Sequence, residues 1–260
     1  MRLMTYNVLT GGRDGASDAR LASVESVIAS VNPDILVLNE CNGFEQDGQR
    51  TLFRLESTLG MRGVLAEAES GFHVALFVRR GRLLEARCLR REVHHAVLSA
   101  ALEIDGQVVR VIGAHLCPFS GATRLLEVQH LIRYLREDNV FILGDLNSLS
   151  PRDAGRHDLG KWLPRRRSRH VLPESGGKFD TRAISTLEEA ELVDVFHAQG
   201  NPAPTCLTRL GADHEDYQVR IDYVFASAPA AARVTRAERV EGALVEAASD
   251  HYPLFVDVTL

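Results

Sequence analysis

Six short polar signatures punctuate the apolar runs of the chain: Thr5-Tyr6-Asn7-Val8, Leu38-Asn39-Glu40, Ala114-His115-Leu116, Gly144-Asp145-Leu146-Asn147, Arg220 to Phe225 (RIDYVF) and Ser249 to Pro253 (SDHYP). Each sets a carboxylate, amide or imidazole at the end of a run that reads as a buried strand. Residues remote in sequence but alike in local setting are the raw material of a converged active site. Four of them, Glu40, Asp145, Asp222 and Asp250, are carboxylates that repel when brought together uncompensated. A hard divalent cation resolves that conflict, and oxygen donors of this kind suit Mg²⁺ or Mn²⁺ rather than zinc. Asn7 and Asn147 add neutral groups able to hold a phosphate oxygen or a water at the metal. His115 and His251 supply imidazoles able to hold or transfer protons.

That donor set suits phosphoryl transfer. The scissile phosphate brings negative charge that must be neutralised, a water must be aligned opposite the leaving oxygen, and the leaving group needs a metal or an acid. Carboxylates hold the metal, amides orient the phosphate, and imidazoles stabilise the charged transition state. The sequence carries neither a Walker-type glycine loop nor a Gly-x-Ser-x-Gly elbow, which sets aside two common alternatives.

Strands and helices must position these groups. Leu3 to Val8 alternates as a strand, and Gly11-Gly12 opens a loop. Leu21, Val24, Ile28 and Val31 then recur at helical spacing over 18–31, with Ser17 or Asp18 as N-cap, and Ile35 to Leu38 completes a strand-helix-strand unit. His73 to Val78, Ala100 to Ile104 and Val108 to Gly113 read as strands, with Asp105-Gly106 as a hairpin turn. A helix around Leu52, Leu55 and Leu59 ends at Gly60, and another over about 122–136 leads to the strand Val140 to Leu143. Ser185-x-x-Glu188 has capping-box spacing, so a short helix is expected from Ser185. Ile221 to Phe225 and Leu254 to Val258 supply two more strands. The two halves repeat this pattern loosely, which suits two sheets packed face to face with helices outside.

The chain has 260 residues, 45% of them hydrophobic, and no linker-like or low-complexity tract, so one domain over 1–260 is expected. No apolar stretch approaches the roughly 20 residues of a membrane span, and no signal-like leader precedes Val8, so the expectation is a cytoplasmic protein. Cys41, Cys88, Cys117 and Cys206 are spread singly, which points to reduced, mostly buried thiols. A net charge of −5 argues against simple coating of nucleic acid. Segment 151–182 nevertheless holds nine Lys/Arg against four Asp/Glu, including Arg165, Arg166, Arg167 and Arg169. It reads as mostly loop, at best facing an anionic substrate.

At the six signatures, from Asn7 to His251, the chain resembles the endonuclease/exonuclease/phosphatase superfamily of DNase I-like metal-dependent phosphohydrolases. GDLN followed downstream by SDHYP is the specific combination. The resemblance implies a four-layer α/β/β/α sandwich of two mainly antiparallel sheets. It further implies that Glu40 is the main metal ligand, with Asn7 close to the metal and phosphate and Asp250 near the metal. Asp145 would orient or deprotonate the attacking water, Asn147 would bind phosphate, His251 would pair with Asp222, and His115 would contact the scissile phosphate or assist the leaving group. Arg124 and His73 fall where some members place substrate contacts, whereas His94, His95 and His214 have no supporting context.

The expected activity is a Mg²⁺- or Mn²⁺-dependent phosphodiester hydrolase acting on a phosphate ester, with nucleic acid one candidate substrate. The alternatives are a phosphomonoesterase of a small metabolite, favoured by cationic contacts from 152–169, and a binding module that keeps the fold without the reaction.

Overall fold

Alternation within the strands decides the layering. In β1 (Arg2–Asn7) Leu3 joins one buried cluster while Met4 and Tyr6 join another, so the strand is covered on both faces. The computed structural model describes residues 1–260 apart from 16, 136, 174 and 212–216. Its remaining strands are β2 (Ile35–Asn39), β3 (Arg62–Ala66), β4 (Val74–Val78), β5 (Arg82–Leu89), β6 (Ala96–Ile104), β7 (Gln107–His115), β8 (Val140–Asp145), β9 (Leu192–Asp194), β10 (Asp222–Ser227), β11 (Val234–Arg239) and β12 (Leu254–Val258). They form two six-stranded sheets, ordered β11-β12-β1-β2-β4-β3 and β5-β6-β7-β8-β10-β9.

Both sheets are mixed. Each carries a parallel pair at its centre, β1 with β2 and β7 with β8, flanked by antiparallel neighbours. Leu3, Ile35, Val37, Val111, Phe141, Leu143, Val224 and Val256 fill the space between the sheets. On the outer face of the first sheet Met4, Leu36 and Phe77 meet Leu21, Val24 and Ile28 of helix Ala19–Val31 and Leu52 and Leu55 of helix Gln46–Leu59. On the outer face of the second, Ile112, Ile142 and Phe225 meet Val128 and Leu131 of helix Gly121–Ile132 and Ile184 and Leu187 of helix Arg182–Glu189. This is the expected four-layer sandwich. Each such aliphatic side chain, fully buried, contributes about 1.5–3 kcal/mol.

Local signals account for most boundaries. Asn32 and Gly60 close their helices in the left-handed conformation, and Asp105 and Gly106 both take positive φ in the β6–β7 hairpin. Three expectations are corrected. Ser185 lies inside helix Arg182–Glu189 rather than capping it, because Asp180 accepts from Arg182 N and starts the turn three residues earlier than expected. The helix expected over 122–136 ends at Ile132. The basic segment contains helix Pro164–His170, begun by a proline in its first turn. Strand β5 escaped the sequence reading because it is an exposed edge whose Arg82, Glu85 and Arg87 form ion pairs instead of following an apolar alternation. All four cysteines are free, and among the described residues no helix is long and apolar enough to cross a membrane.

Candidate active site

The two central parallel pairs end at the same place. β1 and β2 set Asn7 beside Asn39, β7 and β8 set His115 beside Asp145, and β10 sets Asp222 opposite Asp145 on its other flank. Strand parity explains why they share a face. Leu3, Ile35, Val111, Leu143 and Val224 are in phase with these polar residues and lie between the sheets, so the polar residues ending each run are aimed into the same gap. The backbones close in tightly there: at Gly144, with φ +141°, a Cβ would lie 1.9 Å from the Ala114 carbonyl oxygen. Asn39, fully buried, ties the sheets together. Its Nδ2 donates to Ala114 O at 3.0 Å and its Oδ1 accepts from Asp145 N at 3.1 Å.

Glu40 leaves β2 with φ +60°, and its carboxylate accepts from Thr10 N at 2.9 Å and from Asn7 Nδ2 at 3.2 Å. Thr10 belongs to a left-handed turn, Leu9–Gly12, held by the buried Arg20, which donates to the carbonyls of Val8, Leu9, Arg13 and Ala248. At Gly11 of that turn a Cβ would meet Asn42 O at 2.2 Å, so only glycine fits. Asn7 Nδ2 also lies 3.1 Å from Asp145 Oδ2, linking the two carboxylates. Asn147 donates its N–H to Asp145 Oδ1 at 2.9 Å and its Nδ2 to Leu116 O at 3.0 Å. His251 Nδ1 sits 2.7 Å from Asp222 Oδ2, and Ser249 anchors that segment by donating from Oγ to Asn7 O at 2.6 Å.

Burial sets the charge states. It pushes the Asp145 carboxyl up to about 8, reinforced by Asp222, and it raises Glu40, where Asp250 adds repulsion. For His251 burial opposes protonation, but the Asp222 carboxylate together with Cys206 and Asp250 outweighs it and holds the imidazole well above its usual range. His115 goes the other way: burial, then neighbouring His95 and His251, hold it well below that range. It is therefore neutral, and its 3.7 Å approach to Asp145 is not an ion pair.

These groups open into a cavity of about 360 Å³. One wall carries Ser70, Phe72, His94 and His95. The His95 ring stacks on His115 at 4.2 Å between centroids, and its Nδ1 lies 2.7 Å from Ser70 Oγ. Helix Pro164–His170 brings Arg166 and Arg169 to the same cavity, which Tyr217 also lines.

Asn7, Glu40, His115, Asp145, Asn147, Asp222, Asp250 and His251 are thus brought together as expected from the sequence. Arg124 is not. It is fully buried, and its guanidinium donates to Ser148 Oγ at 2.9 Å, Cys117 O at 3.0 Å and Arg169 O at 2.6 Å, so it braces the cavity wall from behind instead of facing substrate. His73 is held by Ala68 N and Glu45, each at 2.8 Å, away from the cavity. His94 and His95, without context in the sequence, line the cavity, and His214 lies outside the described residues. Asn39, named in its signature but given no role from the sequence, has a phase with Ile35 and Val37 that marks it as inward-facing. Of the arginine run that the sequence marked as at best facing an anionic substrate, Arg166 and Arg169 reach the cavity, and which of the four do so depends on tertiary packing.

The donors fit a divalent cation. Asp250 Oδ1 is buried without a hydrogen-bond partner, and both Glu40 and Asp145 resist ionisation where they stand, so the site holds more carboxylate than it can neutralise alone. Asp145, Asp222 and His251 also place donor atoms within 4.8 Å of one another, a grouping other than the expected Glu40, Asn7 and Asp250. In that trio the His251–Asp222 hydrogen bond already engages two of the three members.

A model of the Endonuclease/Exonuclease/phosphatase family matches residues 4–251. Among proteins of curated function, none matches the sequence. Among solved structures, all of the chain superposes on an endonuclease/exonuclease/phosphatase from Beutenbergia cavernae, with TM-score 0.70, 20% identity and 71% of that chain covered. It also superposes on the 3′ phosphatase NExo from Neisseria bound to a product DNA hairpin, with TM-score 0.73, 20% identity and 100% of that chain covered. An AP endonuclease from Archaeoglobus fulgidus gives TM-score 0.71 at 17% identity, again with 100% of both chains covered. At such identities these structures speak for the fold, and the family match speaks for descent. With a two-sheet sandwich that converges the six signatures on one cavity, the chain belongs to the endonuclease/exonuclease/phosphatase family, whose members are phosphoester hydrolases.

Proposed function

We propose that this chain, as one domain over 1–260, is a divalent-metal-dependent phosphodiester hydrolase. The observation that carries the reading is Asp145, buried between His115 and Asp222 and held on both carboxylate oxygens, by Asn7 at one and Asn147 at the other. Glu40, with Asn7 and Asp250, would hold Mg²⁺ or Mn²⁺, which when bound supplies neutralisation of the phosphate and stabilisation of the leaving oxygen.

The chain's own residues do the rest. Asp145, its affinity for a proton raised by burial, orients the attacking water or takes its proton. Asn147 orients the phosphate. His251, kept positive by Asp222, offsets the charge that develops on the phosphoryl oxygens, and Asp222 fixes which ring nitrogen faces the site. His115, neutral, contacts the phosphate or assists the leaving group without adding charge. Nucleic acid is a candidate substrate, since the structural neighbours include a 3′ phosphatase with a DNA hairpin and an AP endonuclease.

A second reading, phosphomonoester hydrolysis, is favoured by Arg166 and Arg169 in the cavity wall, because a dianionic monoester calls for more cationic contacts than a diester. Hydrolysis of bis(4-nitrophenyl) phosphate beside 4-nitrophenyl phosphate, with Mg²⁺, Mn²⁺ or EDTA and with Asp145→Ala as the blank, tests both. Metal-dependent diester cleavage lost in the variant supports the first reading, and monoester preference supports the second. No turnover on either, with no metal binding, would leave a fold that binds without reacting.

A further inference from the structure

The cavity wall that carries Arg166 and Arg169 is a built structure. Helix Pro164–His170 is short and carries four arginines, so it does not hold itself in place. Tyr217 and Arg124 hold it. The Arg166 guanidinium carbon stacks 4.0 Å from the centre of the Tyr217 ring, His170 Nε2 lies 2.6 Å from the Tyr217 hydroxyl, and Trp162 packs edge-on against the same ring at 4.9 Å. Arg124 donates to the carbonyl of Arg169 at 2.6 Å. Burying a guanidinium is costly, and one thing this guanidinium secures is the position of Arg169.

Arg166 and Arg169 line the same cavity as Glu40, Asp145 and Asp250, and among the described residues neither pairs with a carboxylate. Arg169 stacks 5.5 Å from the Phe119 ring centre. Stacking occupies the face of a guanidinium and leaves N–H groups on its edge for an anion. A diester brings one negative charge, which a cation held at the carboxylates would meet. Two further fixed cations match a second charge.

We propose that Arg166 and Arg169 form a phosphate subsite that selects substrates carrying phosphate charge beyond that of a single diester. That charge resides either on the scissile phosphorus, as a terminal phosphate, or on a phosphate next to it. The subsite rests on the hydrolase reading above.

Four esters separate the cases: bis(4-nitrophenyl) phosphate, 4-nitrophenyl phosphate, and thymidine 3′-(4-nitrophenyl) phosphate with and without a 5′-phosphate. Arg166→Gln and Arg169→Gln are each expected to lower kcat/KM roughly tenfold, and together roughly a hundredfold, on the monoester or on the 5′-phosphorylated ester, with the singly charged esters within roughly threefold. The ester that loses identifies the position of the second charge. Arg166→Lys and Arg169→Lys, which keep the charge, retain most of the preference. Equal loss on all four esters, or no loss on any, overturns the subsite.

If wild-type protein turns over none of the esters, the hydrolase reading fails, and calorimetric titration with inorganic phosphate still judges the subsite. Binding weakened roughly tenfold or more in the double variant supports it. No binding, or unchanged affinity, overturns it.

Discussion

His251 Nδ1 lies 2.7 Å from Asp222 Oδ2, and both side chains are buried. The contact joins β10 to the segment that follows Ser249 and leaves His251 Nε2 3.8 Å from Asp145 Oδ2. It makes the charge of one residue the condition for the orientation of the other. Asp222→Asn keeps the shape and removes the charge, so it is expected to lower kcat by on the order of 10²–10⁴ with the fold retained. Steady-state kinetics beside a thermal melt decide it. A kcat within twofold of wild type shows the pair to be structural.

Much of this arrangement was legible in the sequence because strands have a period of two. Asn7, His115, Asp145 and Asp222 each end an apolar run in phase with inward-facing residues, and the two halves of the chain end their parallel pairs alike. What was not legible depends on contacts remote in sequence. Arg124 sits on a helix and looks like a cation for substrate, yet the acceptors that claim it, Ser148 and Arg169, come from segments whose approach no local pattern encodes. His95, in the segment before β6, owes its place to the stacked His115 ring at the end of β7, and Arg166 to an aromatic residue far along the chain. Arg220, the first residue of RIDYVF, proved to be a buried strut between Asp153 and Asp194, each at 2.7 Å.

Replacing that strut tests its role. Arg220→Leu leaves two buried carboxylates with only the exposed Arg156, 3.4 Å from Asp153, as counter-charge and is expected to destabilise the fold by about 3–5 kcal/mol. Urea unfolding at neutral pH measures the difference. A change below about 1 kcal/mol would mean that the carboxylates escape to solvent or are neutralised at little cost.

Asn39 touches no substrate in this account, yet it holds the Asp145 backbone. Asn39→Ala strands the Ala114 carbonyl and the Asp145 N–H, at an expected cost of about 1–3 kcal/mol. Because Asp145 loses a fixed position, kcat should fall roughly tenfold or more while KM changes little. Unfolding and steady-state kinetics on one preparation check both. Lost stability with unchanged kcat would show that Asp145 is held well enough by Asn7 and Asn147.

His170 should make stability depend on pH. Burial, then the neighbouring Arg124, Arg169 and Arg166, lower its pKa to about 3. The folded state thus binds fewer protons than the unfolded state, whose histidine titrates near 6.5. Stability contributed by the neutral ring is intact above that value and is lost as pH falls from about 6.5 toward 3, at up to about 1.4 kcal/mol per pH unit. His170→Gln, which can still bond the Tyr217 hydroxyl, should flatten the pH dependence of the urea midpoint between pH 4 and 7. An unchanged slope would show that His170 opens to solvent before it titrates.

The central claim is that Asp145 and Glu40 belong to one metal-dependent hydrolytic site, and it is tested most directly by ester hydrolysis against Mn²⁺ concentration in wild type, Glu40→Gln and Asp145→Asn, with calorimetric Mn²⁺ binding on the same samples. The account predicts activity that saturates with Mn²⁺ and vanishes in EDTA. Glu40→Gln should weaken metal binding roughly tenfold or more, and Asp145→Asn should still bind metal but turn over at least about 10³-fold more slowly. Full turnover in EDTA, or wild-type turnover by Asp145→Asn, would contradict it.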